Sequence, residues 1–128
     1  KIDDIMASLH EKRDKFKNLI SEARGFKFRT LNDYGDCGTI CTVIFDSQEQ
    51  AAKVSQALGT KTVDQSGWHV YANMEHVLNY LKEGGQPHTK GSYPQTDDIL
   101  SRSINISVGV VDSGLGAGWG ININSTDA

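Results

Sequence analysis

The chain has 128 residues, with 16 acidic and 13 basic side chains and a formal net charge of −3 at pH 7. A chain of this length can bury one hydrophobic core, so we expect a single domain over residues 1–128. The acidic balance argues against nucleic acid as a partner, because phosphate recognition needs a basic surface. No apolar run approaches the length of a membrane span, and we expect a cytoplasmic protein without a membrane partner.

The first predicted element is a long amphipathic helix that ends near Gly25. Apolar residues recur there at spacings of three and four, which places them on one stripe of about six turns. Such a stripe exceeds what a small domain can cover, so we expect part of it to be exposed and to join two copies as a homodimer. A mixed row of charges in its middle indicates a solvated face. The apolar stripe contains Ile2, Ile5, Met6, Leu9, Phe16, Leu19, Ile20 and Ala23, and the basic residues are Lys12, Arg13, Lys15 and Lys17.

Two strands and a second helix follow. Residues 26–29 alternate between apolar and polar side chains, as an edge strand does, whereas residues 38–45 are β-branched and apolar on both faces, which predicts a central strand. Ser47 and Gln50 match a capping box that opens a helix ending at Gly59.

The two cysteines, Cys37 and Cys41, are four positions apart. On a strand they would lie roughly 13 Å from each other at about 3.3 Å per residue, which is too far for a disulfide. Two thiols alone form no zinc site, and we therefore expect both to be buried and reduced.

The second half of the chain continues the mixture of helices and strands. Asn73 can cap a helix over residues 74–82, and residues 85–93 form a polar loop. Thr96 can cap a short helix, and apolar residues alternate from 104 to 110 as in a half-buried strand. These elements predict an α+β fold with a sheet of three or four strands, helices mainly on one face, and a long N-terminal helix.

Two segments carry a resemblance to a known family. They are residues 66–71, Ser-Gly-Trp-His-Val-Tyr, and residues 96–108, Thr-Asp-Asp-Ile-Leu-Ser-Arg-Ser-Ile-Asn-Ile-Ser-Val. In this order and spacing, the chain resembles the C-terminal small domain of the DegT/StrS family, which are pyridoxal-phosphate-dependent sugar aminotransferases of fold type I. The resemblance extends over nearly the whole chain and is strongest to enzymes that aminate eight-carbon sugar acids of bacterial surface polysaccharides. Ile104-Asn105 departs from the Leu-Pro that is commoner in the family, which puts a nucleotide-sugar substrate in doubt.

The resemblance implies that this chain is one part of an enzyme. A large domain would supply the Schiff-base lysine and hold pyridoxal phosphate (PLP), while this chain would close over the sugar and contribute no catalytic residue, cofactor site or metal site. His69, Tyr71 and Arg102 would be its substrate-binding residues. An imidazole can bond a hydroxyl group, and a guanidinium can bind an acidic group through two parallel hydrogen bonds.

The residues themselves leave other roles open. His69 could equally pack between its aromatic neighbours, and Arg102, at a helix-to-strand junction, could cap carbonyl groups or pair with a nearby aspartate. The alternative function for the whole chain is a free-standing ligand-binding or dimerisation module without a catalytic partner. A large domain with a lysine in a glycine-rich context, encoded upstream, would favour the aminotransferase.

Overall fold

The computed structural model describes residues 1–67, 70–86 and 88–108 and has the α+β architecture that the sequence predicts. Helix α1 is followed by strands β1 and β2 and helix α2; two short 3-10 turns lead to helices α3 and α4 and strand β3. Their bounds are α1 Ile2–Leu19, β1 Phe26–Phe28, β2 Ile40–Phe45, α2 Gln48–Ala57, first 3-10 turn Val63–Gln65, second 3-10 turn Tyr71–Asn73, α3 Glu75–Glu83, α4 Pro94–Ser101 and β3 Ser103–Ser107.

The sheet is antiparallel, and its described strands follow the order β1-β2-β3. The central position predicted for β2 and the edge position predicted for β1 are both confirmed. Val43 lies opposite Phe28 on one side and opposite Ile104 on the other. Since side chains alternate between the two faces of a strand, this register places these three residues on the same face.

The hydrophobic core lies between that face of the sheet and helices α1 and α2. Phe16 from α1 and Val54 from α2 pack against it, as expected for helices mainly on one face. Burying each large side chain contributes roughly 1.5–3 kcal/mol, so this layer stabilises the fold. The buried members are Cys41, Val43, Phe45, Ala51, Ile104, Ile106 and Val108.

The helix ends follow local capping chemistry. The backbone N–H of Gln50 donates to the Ser47 hydroxyl at 3.2 Å, which confirms the predicted N-cap of α2. Helix α1 ends at Leu19, one turn or more before the predicted end, where the Ser21 hydroxyl donates to the Asn18 carbonyl at 2.8 Å. None of the described helices has both the length and the apolar character needed to cross a membrane.

Two predicted helix caps are wrong. Asn73 lies in the second 3-10 turn, and its amide donates to the carbonyls of Asp64 and Gly67 at 2.9 Å each, so it holds a loop instead of opening α3. Thr96 lies inside α4, which begins at Pro94, because a proline suits the first turn of a helix, where its missing N–H has no partner to lose.

Candidate functional site

Described residues of the two segments that carry the family resemblance, Val70 and Tyr71 of the first and Asp97 of the second, lie together in space. The first 3-10 turn packs against α4 and β3, and between this turn and α4 lies an open cleft of ≈ 480 Å³, hereafter the polar cleft. That volume falls within the range of roughly 300–1,000 Å³ that is typical of small-ligand sites. The polar residues along it include Gln48, Asp64, Asn73, Lys90, Asp97 and Asp98.

The loop that forms one wall of the polar cleft is fixed by its own hydrogen bonds. Besides the two bonds from Asn73, the hydroxyl of the buried Thr62 donates to Asp64 Oδ1 at 2.5 Å. These hydrogen bonds satisfy polar groups of the loop within the loop itself and hold Asp64 at the cleft. The second oxygen of the Asp64 carboxylate accepts no hydrogen bond from the described residues. The opposite wall is α4, where Asp97 and Asp98 stand on successive positions.

Tyr71 joins the two segments. Its hydroxyl donates to both carboxylate oxygens of Asp97, at 2.8 and 2.9 Å, and its ring meets that of Tyr93 edge to face, with centroids 5.1 Å apart. Desolvation, followed by the bond to Asp97, raises the pKa of Tyr71 above its ordinary value. Tyr71 does not line the polar cleft and reaches it through Asp97.

An aromatic pair that the sequence analysis missed extends this network. Tyr93 stacks on His88, with centroids 5.6 Å apart, and its hydroxyl hydrogen-bonds His88 Nδ1 at 2.8 Å. Both residues lie within the loop of residues 85–93, which the sequence marks only as polar. The one available signal was that loops often carry function.

Arg102 makes the contacts expected for a structural role, because it pairs with an aspartate and bonds a backbone carbonyl. Its Nε and Nη2 donate to Asp98 Oδ2 at 3.0 and 2.6 Å, while Nη1 donates to the Phe45 carbonyl at 2.7 Å. The guanidinium thus ties the end of α4 to the end of β2, and its hydrogen bonds to Asp98 lower the pKa of that carboxyl. Substrate contact by Arg102 stays a prediction, and so does that by His69, which lies outside the described residues.

The polar cleft suits a ligand rich in hydroxyl groups. Asp64 and Asp98 each keep one carboxylate oxygen that accepts no hydrogen bond from the described part of the chain. Lys90 makes no ion pair there and can donate. Carboxylates accept hydrogen bonds from hydroxyls and an ammonium group donates to them, so this set can orient a sugar.

The residues of the polar cleft do not fit pyridoxal phosphate. A phosphate dianion in the cleft would face the carboxylates of Asp64, Asp97 and Asp98. Lys90 is exposed, whereas a Schiff-base lysine is activated by desolvation or by a neighbouring cation. We therefore derive no chemistry from that cofactor in this cleft. Within the described ranges, no cluster of His, Cys, Asp and Glu side chains could hold a metal ion.

A second polar cluster lies where α1 meets the loop before β2, and here the prediction of a solvated basic face is wrong for Arg13. Arg13 is only 4% exposed, and its Nη1 donates to both carboxylate oxygens of Asp36 at 2.8 and 2.7 Å. His10 Nε2 lies 2.6 Å from the Asp36 carbonyl oxygen. The loop is thereby fastened to the helix.

The cysteines differ from each other in exposure. Both are free, and Cys41 is buried as predicted, but Cys37 is exposed, so the prediction for that residue is wrong. The strand begins at Ile40, which leaves Cys37 in the preceding turn. A hydrogen bond with the Thr39 hydroxyl lowers the pKa of the Cys37 thiol, and burial raises that of Cys41.

Comparison of the chain with protein-family models, with curated proteins and with solved structures gave no match.

Proposed function

We propose that this chain is the substrate-closing small domain of a PLP-dependent sugar aminotransferase, and that the sugar occupies the polar cleft. One observation carries the proposal: described residues of the two segments behind the family resemblance lie beside one cleft. Val70 of the first segment and Asp97 of the second line it, and Tyr71 joins the segments through its hydrogen bonds to Asp97. The carboxylates, amides and lysine of this cleft lie beside the apolar Val70, Ala72 and Pro94, and they have the donors and acceptors that sugar hydroxyls need.

Tyr71 and Arg102 act in this proposal as positioning residues. Tyr71 orients Asp97 and Arg102 orients Asp98, and these two carboxylates then meet the substrate. Lys90 is the cation available for the acid group of an eight-carbon sugar acid. His69 remains the proposed hydroxyl contact from the other segment. PLP would be held by a separate large domain, which would also provide the reactive lysine.

The test is a titration of the ¹⁵N-labelled chain with an eight-carbon sugar acid, its amino derivative and a neutral hexose. Binding should shift the amide signals of Asp64, Asn73, Asp97 and Asp98. Asp98→Asn should weaken binding about tenfold, the effect of removing one charged hydrogen-bond partner, while Asp3→Asn on the exposed first turn of α1 should not. Signals that move elsewhere, or equal effects of the two variants, would reject the polar cleft as the sugar site.

A second measurement separates the enzyme from a free-standing module. The gene upstream of the Lys1 codon should encode a large domain, and the longer protein should form a borohydride-reducible adduct with PLP on a lysine of that domain. If the chain binds sugars at the polar cleft and no such domain exists, the free-standing ligand-binding module is correct and the aminotransferase is rejected.

One specific observation favours a partner surface on α1. Ile2 is 73% exposed, Ile5 is 50% exposed and Leu19 is 75% exposed. An apolar stripe of this kind is typical of an interface, so we propose that it contacts the large domain or a second copy of the chain.

A further inference from the structure

The hydrophobic core opens to solvent through a second cleft of ≈ 350 Å³, hereafter the apolar cleft. Its floor is the helix-covered face of the sheet, with the buried side chains of Val43, Phe45 and Ile104. Its walls are the half-buried Phe16 of α1 and Val54 of α2. The apolar cleft shares no lining residue with the polar cleft, so the two can be tested separately.

One charged side chain lies among the described residues that line the apolar cleft. Of its described lining residues, Arg24 alone is charged; it is exposed, just beyond the end of α1, and its guanidinium makes no hydrogen bond or ion pair with the described residues. Arginine binds carboxylates through two parallel hydrogen bonds. An apolar cleft with one unpaired arginine therefore has the charge pattern that complements an amphipathic anion.

We propose that the apolar cleft binds a small monocarboxylate with an apolar chain, whose carboxylate pairs with Arg24. Apolar cavities of about 150 Å³ bind benzene, so this cleft has room for a medium-length alkyl chain. The helix of a second copy, about 10 Å across with its side chains, is too wide to enter a cleft of this volume.

Decanoate, kept below its micellar concentration, is the probe, with titration by calorimetry and by ¹⁵N NMR. It should bind saturably and shift signals of residues that line the apolar cleft, from Phe16 to Phe26 and from Val54 to Leu58. Hexanoate and octanoate should bind more weakly, by about fourfold for each methylene lost, the equivalent of ~0.8 kcal/mol. Decanol should bind less tightly than decanoate, and decyltrimethylammonium least tightly.

Two variants separate the contribution of the ligand's alkyl chain to binding from that of its carboxylate. Ala23→Phe places a ring in the cleft from an exposed position and should abolish binding without disturbing the core. Arg24→Gln should weaken decanoate about twofold to fivefold, as for an exposed ion pair, and leave decanol unchanged. Arg29→Gln removes the same charge from an exposed position away from the cleft and should change neither affinity.

Several results would overturn the proposal. These are saturable binding that Ala23→Phe does not reduce, equal affinity for decanoate and the decyl cation, and binding only to anionic vesicles. Loss of self-association in Ala23→Phe without an effect on decanoate would assign the cleft to a second copy and would equally reject the proposal. Circular dichroism of each variant confirms that it is folded. Sugar binding at the polar cleft is measured on different signals, so either result can fail alone.

Discussion

Replacing Arg13 by methionine should destabilise the fold, because the buried guanidinium is the contact that fastens α1 to the loop before β2. Methionine keeps most of the apolar stem and removes the charge. The loss leaves Asp36, whose side chain is 23% exposed, with one remaining hydrogen bond from the Gly38 N–H at 3.2 Å. The carboxylate then lacks full hydration and has no arginine beside it; His10 Nε2, which is a cation only when protonated, lies 3.9 Å from Asp36 Oδ1.

The magnitude lies between two limits. Breaking a fully buried ion pair costs about 3–5 kcal/mol, and an exposed pair contributes about 0–1 kcal/mol. Since Arg13 is buried and Asp36 still touches water, we expect a loss of about 2 kcal/mol in the free energy of unfolding. The double variant Arg13→Met, Asp36→Leu should recover part of it, because the partly buried Asp36 carboxylate is then absent. Asp14, the other partner of Arg13, is 59% exposed and stays hydrated without the arginine.

Urea unfolding followed by circular dichroism measures this loss, with Arg29→Met as the control for an exposed arginine. The hydrogen bond from Arg13 holds the pKa of Asp36 below its ordinary value, so the unfolded chain takes up a proton first as the pH falls. The stabilisation should therefore be complete above the unfolded pKa of about 3.9 and be lost as the pH falls through the folded pKa. A loss below about 0.5 kcal/mol, or one that is the same at pH 3 and pH 6, would refute the ion pair as its cause.

Two further predictions concern α1 and the turn it packs against. Gly38 and Gly59 both have positive φ, of 69° and 65°, but a Cβ on Gly38 would lie 2.6 Å from His10 Cδ2, whereas at Gly59 nothing lies within 4 Å. Alanine at Gly59 should cost about 1 kcal/mol and at Gly38 about 1–2 kcal/mol more, and equal losses in urea unfolding would contradict the contact with His10. Serine at both Ile2 and Ile5 should convert a dimer to a monomer in sedimentation equilibrium. A wild-type chain that is monomeric at high micromolar concentration would reject a second copy as the partner of α1.

The fold was predictable where one periodicity dominates a segment. Residues 40–45 are apolar on both faces and residues 26–28 alternate, which assigned the central and edge strands correctly. The end of α1 was not predictable from the apolar stripe, because Ile20 and Ala23 continue its spacing beyond the last helical residue, Leu19. There the apolar residues line the apolar cleft from a turn.

The polar clusters were predictable only in part, because their partners are distant in sequence. Nothing in a row of four basic residues distinguishes Arg13 from its neighbours until Asp36, which is 23 positions away in an irregular loop, is brought against it. Cys37 was predicted to be buried, but the strand starts three residues after it, at Ile40, and Cys37 is exposed. In both cases the local pattern was correct and the long-range packing decided the exposure.

Two adjacent aspartates of α4 determine which groups the polar cleft presents to a ligand. Asp97 and Asp98 are successive residues of α4 and therefore project about 100° apart, which is why one accepts from Tyr71 and the other from Arg102. The sequence pointed to Tyr71 and Arg102, yet the groups that these two residues hold beside the polar cleft are carboxylates. A ligand would thus meet hydrogen-bond acceptors of negative charge, with Lys90 as the cation on that surface. Hydroxyl and amino groups are then better recognised than phosphate, which favours an amino sugar over a nucleotide sugar as the ligand to test first.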